Sequence, residues 1–151
     1  MGKIYSALGL MSGTSMDGVD ASIIQSDGST SYKVIFNKYF EYNKDIFRKL
    51  THLRDKINTS EDLNKMSIEI TSIEKEITLF HAEISKKAIL QSVIDIDFVG
   101  FHGQTIFHNV DEKITKQIGD GNLLSQLIKK KVIYDFRQND LKNGGEGAPL
   151  T

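Results

Sequence analysis

Near the N-terminus, apolar residues crowd into three short runs. Ile4 to Leu10 and Val19 to Ile24 flank a polar stretch, and Tyr32 to Tyr42 carries Val34, Phe36 and Phe40 among polar neighbours. Short runs rich in β-branched and aromatic residues, bounded by Gly, Ser and Asp, predict strands. The breaks between them are a Gly/Ser/Thr/Asp stretch around residues 12–18 and the turn Ser26-Asp27-Gly28-Ser29. Three strands joined by short turns predict an antiparallel meander.

The period then changes. Asp45 to Ile57 places Ile46, Phe47, Leu50, Leu53 and Ile57 at helical spacing,. Asn58 and Thr59 interrupt it, and Thr59 with Asp62 has the form of a capping box,. From there Leu63, Met66, Ile70, Ile73, Ile77, Phe80, Ile84 and Ala88 recur at threes and fours, predicting one long amphipathic helix,. Its charged residues, such as Glu69, Lys75 and Glu76, form a solvated face. A coiled coil is the alternative, but a core-facing helix accounts for the stripe equally well.

Beyond it, Ile94 to Val99 predicts a buried strand ending at a His-Gly turn, and Ile114 to Ile118 a second, short one. Gly119-Asp120-Gly121 turns the chain, and Asn122 caps a helix running to about Lys130,. Lys129, Lys130 and Lys131 complement that helix's dipole; a phosphate patch is the alternative. Val132 to Phe136 is the last predicted strand, and residues 143–149 form a glycine-rich loop holding the only proline. Strands alternating with helices after a meander predict an α/β fold, a mixed sheet covered by helices.

The 151 residues suffice for one domain with a core,. A net charge of −1 offers no field for nucleic acid or membrane surfaces,. The absence of cysteine removes disulfides and thiolate metal sites,. No apolar run approaches the roughly 18 residues of a membrane span. The N-terminal run is too short and too soon interrupted for a signal peptide, so a cytoplasmic location is expected.

Chemistry concentrates in two places. The first is the polar stretch from Gly9 to Asp20. A hairpin tip with two glycines and several hydroxyls can aim donors at one point and so cradle a phosphate. Gly13 and Gly18 are expected to supply positive φ or a close backbone approach. Asp17 and Asp20 would repel a bare phosphate unless a divalent cation lies between. An ordinary tight turn is the other reading. The stretch is neither a Walker loop nor a dinucleotide fingerprint. The second place is Asp140, beyond a predicted strand end and three residues after Arg137. It reads as a general base or as a surface carboxylate, and Arg137 as an anion ligand or an ion pair orienting Asp140. His102, Gln104 and Thr105 offer hydrogen bonds to a ligand or to their own loop. Asp120 faces a pocket or orders its turn. His52 and His81 read as structural and His108 has no role; no zinc site is expected.

Met11-Ser12-Gly13-Thr14-Ser15-Met16-Asp17-Gly18-Val19-Asp20 resembles the phosphate-loop signature of the anhydro-N-acetylmuramic acid kinases. Three later stretches match the same family in order: Phe101-His102-Gly103-Gln104-Thr105, Gln117-Ile118-Gly119-Asp120, and Asp135-Phe136-Arg137 through Asp140 to Gly144-Gly145-Glu146-Gly147-Ala148-Pro149-Leu150. Glu146 stands where the family has glutamine, adding negative charge near the proposed base, and Lys116 where leucine is common.

The resemblance implies a ribonuclease-H-like mixed sheet, one lobe of a two-lobed sugar-kinase fold, with residues 1–151 as the N-terminal lobe and the second lobe absent. It implies ATP and Mg²⁺ at residues 13–20, that is Gly13, Thr14, Ser15, Met16, Asp17, Gly18, Val19 and Asp20. It assigns Asp140 as the base and His102, Gln104, Thr105, Asp120 and Arg137 to the amino sugar. The implied reaction, in cell-wall sugar recycling, hydrolyses the anhydro ring and phosphorylates O6. A non-catalytic lobe that binds ligand weakly or pairs with a separate second-lobe chain is the alternative, and homodimers are expected of the full-length family. Direct metal ligands are not assigned.

Overall fold

The computed structural model describes residues 3–148. Met1 and Gly2, and Pro149, Leu150 and Thr151 of the last motif, lie outside the described residues. Strands β1 (Tyr5–Ser12), β2 (Gly18–Ser26) and β3 (Tyr32–Glu41) form the expected antiparallel meander, with Leu10 opposite Ala21 and Ile23 opposite Phe36. Helices α1 (Lys44–Lys56), α2 (Ser60–Lys65) and α3 (Ser67–Ser92) carry the chain back to β4 (Phe98–Asn109), which lies parallel to β1. Then follow β5 (Ile114–Ile118), α4 (Gly121–Ile128), β6 (Lys131–Tyr134) and α5 (Phe136–Lys142). The sheet order is β3-β2-β1-β4-β5, with β6 parallel to the first half of β4. This is the mixed α/β sheet that the pattern and the resemblance both implied.

Alternation along the strands decides where the core lies. Leu8, Leu10, Ala21, Ile23, Val99 and Phe101 share one face and are buried. Ile46, Leu50 and Leu53 of α1, with Ile70, Ile73, Ile77 and Ile84 of α3, complete one continuous cluster with them. Each large aliphatic side chain fully buried there contributes about 2 kcal/mol. Lys49, between Asp45 and Glu76, links α1 to α3 at the surface, where such pairs contribute little,.

Four expectations are corrected. The long helix is two: at Met66 the backbone takes φ −96° and ψ 15°, ending α2 before α3 begins. Neither Gly nor Pro marks the break, and the apolar period runs through it. The capping box of Thr59 and Asp62 is formed at the start of α2. The strand predicted to stop near Val99 continues through the His-Gly pair to Asn109, because Gly103 forms a bulge and not a turn. Asp120, and not Asn122, caps α4: its Oδ1 accepts the Leu123 N–H at 2.9 Å. Finally, the strand expected to reach Phe136 stops at Tyr134, and residues 136–142 form a helix that was not expected. Asp135, at φ +63°, makes the sharp change of direction.

Candidate functional site

The β1–β2 loop, residues 13–17, is anchored from below. Ser12 ends β1 with its side chain on the helix face, fully buried. Its Oγ donates to His81 Nε2 at 3.0 Å, and the Tyr42 hydroxyl donates to Ser12 Oγ at 3.1 Å. Tyr42 also reaches Gln104 Oε1 at 3.2 Å, while Gln104 Nε2 donates to the Gly13 carbonyl at 2.6 Å. The Tyr42 N–H donates to the Asp17 carbonyl at 2.8 Å. Both stems of the loop are therefore held by residues distant in sequence.

Met16 takes φ +59° and drops its side chain into the core. The expected positive φ thus falls on Met16, and on neither Gly13 nor Gly18. Gly18 is instead required for packing: a Cβ there would strike the Phe40 carbonyl and the Tyr39 ring. A Cβ on Gly13 would point into open space.

Above the anchors, Thr14 and Ser15 are exposed, and among the described residues Thr14 uses neither its N–H nor its hydroxyl. The Asp17 carboxylate is exposed and accepts the Ser15 hydroxyl at 2.5 Å. That bond, with the Tyr39 hydroxyl assisting, holds Asp17 below the usual carboxylate range. Desolvation and the facing carboxylate push the Tyr39 phenol up to about 12. Val19 is buried in the core. Asp20 emerges on the sheet face opposite the helices.

The Gly103 bulge decides which way β4 presents its polar residues. Leu10 pairs with Phe101, but Ser12 pairs with Gln104, so one extra residue is inserted. His102 and Gln104 would share a face in a regular strand; the bulge sends them to opposite faces. Gln104 goes beneath the loop. His102 goes to the far face, where it lines a groove of about 290 Å³ with Gly9, Met11, Asp20, Ser22 and Phe136.

Arg137, in the first turn of α5, donates through Nε to His102 Nε2 at 2.8 Å. An arginine can only donate, so His102 carries its proton on Nδ1, which donates to the Gly103 carbonyl at 2.8 Å,. Burial, with the nearby guanidinium adding to it, keeps the His102 pKa below the ordinary histidine value. Both ring nitrogens are therefore occupied by the protein. Arg137 pairs with His102 and makes no ion pair with Asp140 among the described residues.

Asp140 is half-buried on the same helix. Its Oδ2 accepts the Gly147 N–H at 2.8 Å, and its backbone carbonyl accepts the Gly145 N–H at 2.9 Å. A Cβ on Gly145 would collide with the carboxylate. The glycines of this segment thus wrap Asp140, orienting its carboxylate with neutral donors. Glu146 is exposed.

The other candidates are engaged in structure. Thr105 Oγ1 is buried and accepts the Gln117 amide at 3.3 Å. Asp120 caps α4, and its N–H donates to Thr78 Oγ1 at 2.9 Å. Gly119 N–H donates to Glu74 Oε1 at 3.1 Å. Because β4 pairs with β6 in its first half and with β5 in its second, a fork opens between β5 and β6. A polar cavity of about 310 Å³ lies there, lined by Glu74, His102, Gln117, Gly119, Asp135 and Gln138 among others.

Among the described residues no three His, Cys, Asp or Glu side chains converge as a metal cage. The exposed Asp17 carboxylate does suit a hydrated cation, since Mg²⁺ commonly keeps waters and takes only one or two carboxylates,. The four motif stretches meet. Gln104 reaches Gly13, Gln104 and Thr105 pair with Ile118 and Gln117, and His102 binds Arg137. Tyr42, His81 and Glu74 carry much of this arrangement. No local signal marked them; a histidine and a serine interrupting the apolar stripe of α3 were the available clue.

A mixed sheet of this order, with an open polar loop on its first hairpin and an oriented carboxylate after its last strand, has the architecture of one lobe of a sugar kinase. The chain belongs to a particular family of that class: the family model described as anhydro-N-acetylmuramic acid kinase matches residues 5–151. Curated relatives of that name include one from Pelagibacter ubique (strain HTCC1062), 64% identical over 150 residues, covering 99% of this chain and 40% of the relative. One from Agrobacterium fabrum is 39% identical over 156 residues, covering 99% of this chain and 41% of its own length. One from Rhodopseudomonas palustris is 41% identical over 150 residues, covering 95% and 40%. The chain thus spans about two-fifths of the length of these relatives.

Proposed function

We propose that this chain supplies the phosphate-cradling loop and the general base of an ATP-dependent kinase. Its sugar substrate is 1,6-anhydro-N-acetylmuramic acid and its product N-acetylmuramic acid 6-phosphate. Asp140 takes a proton from a water that attacks C1. The C1–O6 bond opens, O6 accepts the γ-phosphoryl group, and ADP leaves. The leaving oxygen is captured by phosphorus, so the paired acid of an ordinary glycosidase is not needed. Thr14 and Ser15 present donors to the phosphates, and the exposed Asp17 carboxylate would be the loop's group for a cation. When bound, Mg²⁺ neutralises charge on the transferring phosphoryl group. Arg137, held by His102, presents its remaining guanidinium N–H groups to an anionic group of the sugar. Gln104, Thr105 and Asp120 act by shaping the pocket wall. The compartment is the cytoplasm, where ATP and recovered wall sugars meet. A further lobe, corresponding to the remaining length of the relatives, closes over the substrate.

What supports this reading above all is that four stretches, scattered from Met11 to Gly147 along the chain, assemble around the end of β1 and the middle of β4. The test is product formation from Mg-ATP and the anhydro sugar, followed by mass spectrometry. It is run with this chain alone and with the remaining portion of the Pelagibacter ubique relative supplied. The expected result is 6-phosphate in at least one arm, lowered on the order of a thousandfold by Asp140→Asn. Product in neither arm would count against the kinase reading. Product in the supplemented arm alone would favour a lobe that acts only when paired.

A further inference from the structure

Helix α3 buries three polar side chains within an otherwise apolar stripe: Thr78, His81 and Ser85. Thr78 and Ser85 satisfy themselves on their own helix through the carbonyls of Glu74 and His81, and Thr78 also receives Asp120. His81 differs, because only one of its nitrogens is used that way. Nδ1 donates to the Ile77 carbonyl at 2.8 Å, which leaves Nε2 as an acceptor aimed out of the helix at Ser12. The ring is wedged edge-on against Phe101 at 5.0 Å between centroids. Burial pushes its pKa down to about 4, so the neutral tautomer persists near pH 7.

A buried imidazole is an awkward choice for core packing alone, since leucine would fill such a place without a polar group to satisfy. What the imidazole adds is a fixed acceptor for the last residue of β1. From it a directed chain follows: Ser12 donates to His81, Tyr42 donates to Ser12 and is shared with Gln104, and Gln104 donates to Gly13. The chain joins α3, the entrance to α1, β4 and the loop.

We propose that His81 is a positioning residue for the β1–β2 loop: acting through Ser12, its Nε2 fixes the loop stem and hence the direction of the Thr14 donors. The functional consequence rests on the phosphate-binding reading of that loop. The structural consequence does not.

The decisive comparison is between two polar replacements. Glutamine can place an acceptor where Nε2 lies; asparagine can keep the bond to Ile77 but falls short of Ser12. In the 151-residue chain, His81→Asn is expected to lower ¹⁵N order parameters across residues 13–17. It should also speed exchange of the Tyr42 amide, which closes the loop on Asp17, on the order of tenfold for one lost buried hydrogen bond. His81→Gln should retain the wild-type values. Ser12→Ala cuts the same link without touching the helix and should reproduce the asparagine effect, with His81→Asn adding nothing on top. Equal behaviour of the asparagine and glutamine variants would overturn the proposal. So would a loop left unchanged by Ser12→Ala, a measurement that stands even where the helix variants fail to fold. None of these readouts uses turnover, so absence of phosphosugar product in wild type counts against the kinase reading alone.

Discussion

Two turns of nearly the same composition join the first three strands. Ser12 to Asp17 links β1 to β2, and Ser26 to Ser31 links β2 to β3; both are built from Ser, Gly, Thr and one Asp, with Met16 added in the first. The second turn satisfies itself. Asp27 Oδ1 accepts the N–H groups of Ser29 and Ser31, Ser26 Oγ donates to the Ser31 carbonyl, and Gly28 takes φ +75°. The first turn also bonds to itself, Ser15 Oγ to Asp17 and the Met16 N–H to the Gly13 carbonyl, but it is held chiefly from outside. Its stems bond to His81, Tyr42 and Gln104, and its tip leaves Thr14 unpartnered among the described residues. A turn held from elsewhere need not spend all its donors on itself, which the phosphate-binding reading of the first turn requires.

Acidification should separate the two most strongly. His81 has a folded pKa of about 4 against 6.5 for the free side chain. Its stabilisation is complete above the free value and is lost as pH falls toward the folded one, because the unfolded chain takes up a proton that the buried ring refuses. The loss should reach about 3 kcal/mol. Depressed His102 acts in the same direction. Asp27, also depressed, loses its contribution only at still lower pH. Urea unfolding at about pH 7.5 and about pH 4.5 should show most of the loss in wild type and much less of it in His81→Gln. Equal pH slopes in the two proteins would break the distinction.

Alanine at the three turn glycines sharpens it next. Gly18→Ala forces a Cβ into the Phe40 carbonyl and should cost about 3 kcal/mol, read as a lowered denaturation midpoint,. Gly28→Ala meets open space but a left-handed backbone, and should cost about 1 kcal/mol,. Gly13→Ala has neither obstacle and should change stability least, which makes it the variant for testing ligand binding at the tip. The smallest contrast concerns the hydroxyls. Tyr42→Phe leaves buried acceptors less well served and should cost about 1–2 kcal/mol, whereas Ser26→Ala at the exposed turn should stay within about 0.5 kcal/mol,. Similar values for these two would mean that the first turn is no better anchored than the second.

Much of the fold was legible in the residues. The meander, α1, the stripe of α3 and the Thr59–Asp62 cap rest on period and on turn chemistry acting over a few positions. The failures share a cause. The break at Met66 lacks a breaker residue, and Gly103 reads locally as a turn although neighbouring strands pair across it as a bulge. Segment 136–142 is short and next to glycines, yet packing of Gln138 on Thr115 and Phe136 against Gly100 holds it as a helix. For the site, the motif stretches singled out the loop, His102, Arg137 and Asp140 as candidates. They did not show that Arg137 serves His102, or that the glycines wrap Asp140.

The sequence by itself determined the meander, the strand order as far as β6, the Thr59–Asp62 cap and the family, because periodicity, caps and motifs are properties of neighbouring residues. The tertiary structure alone decided which of two similar turns is anchored and which face of β4 each polar residue serves. It also placed a core histidine beneath the loop. Those outcomes depend on contacts such as Ser12 with His81, 69 positions apart, and Gly13 with Gln104, 91 apart. Such hydrogen bonds exist only once the sheet has closed and water has been excluded from beneath the loop, where a polar group must find a partner.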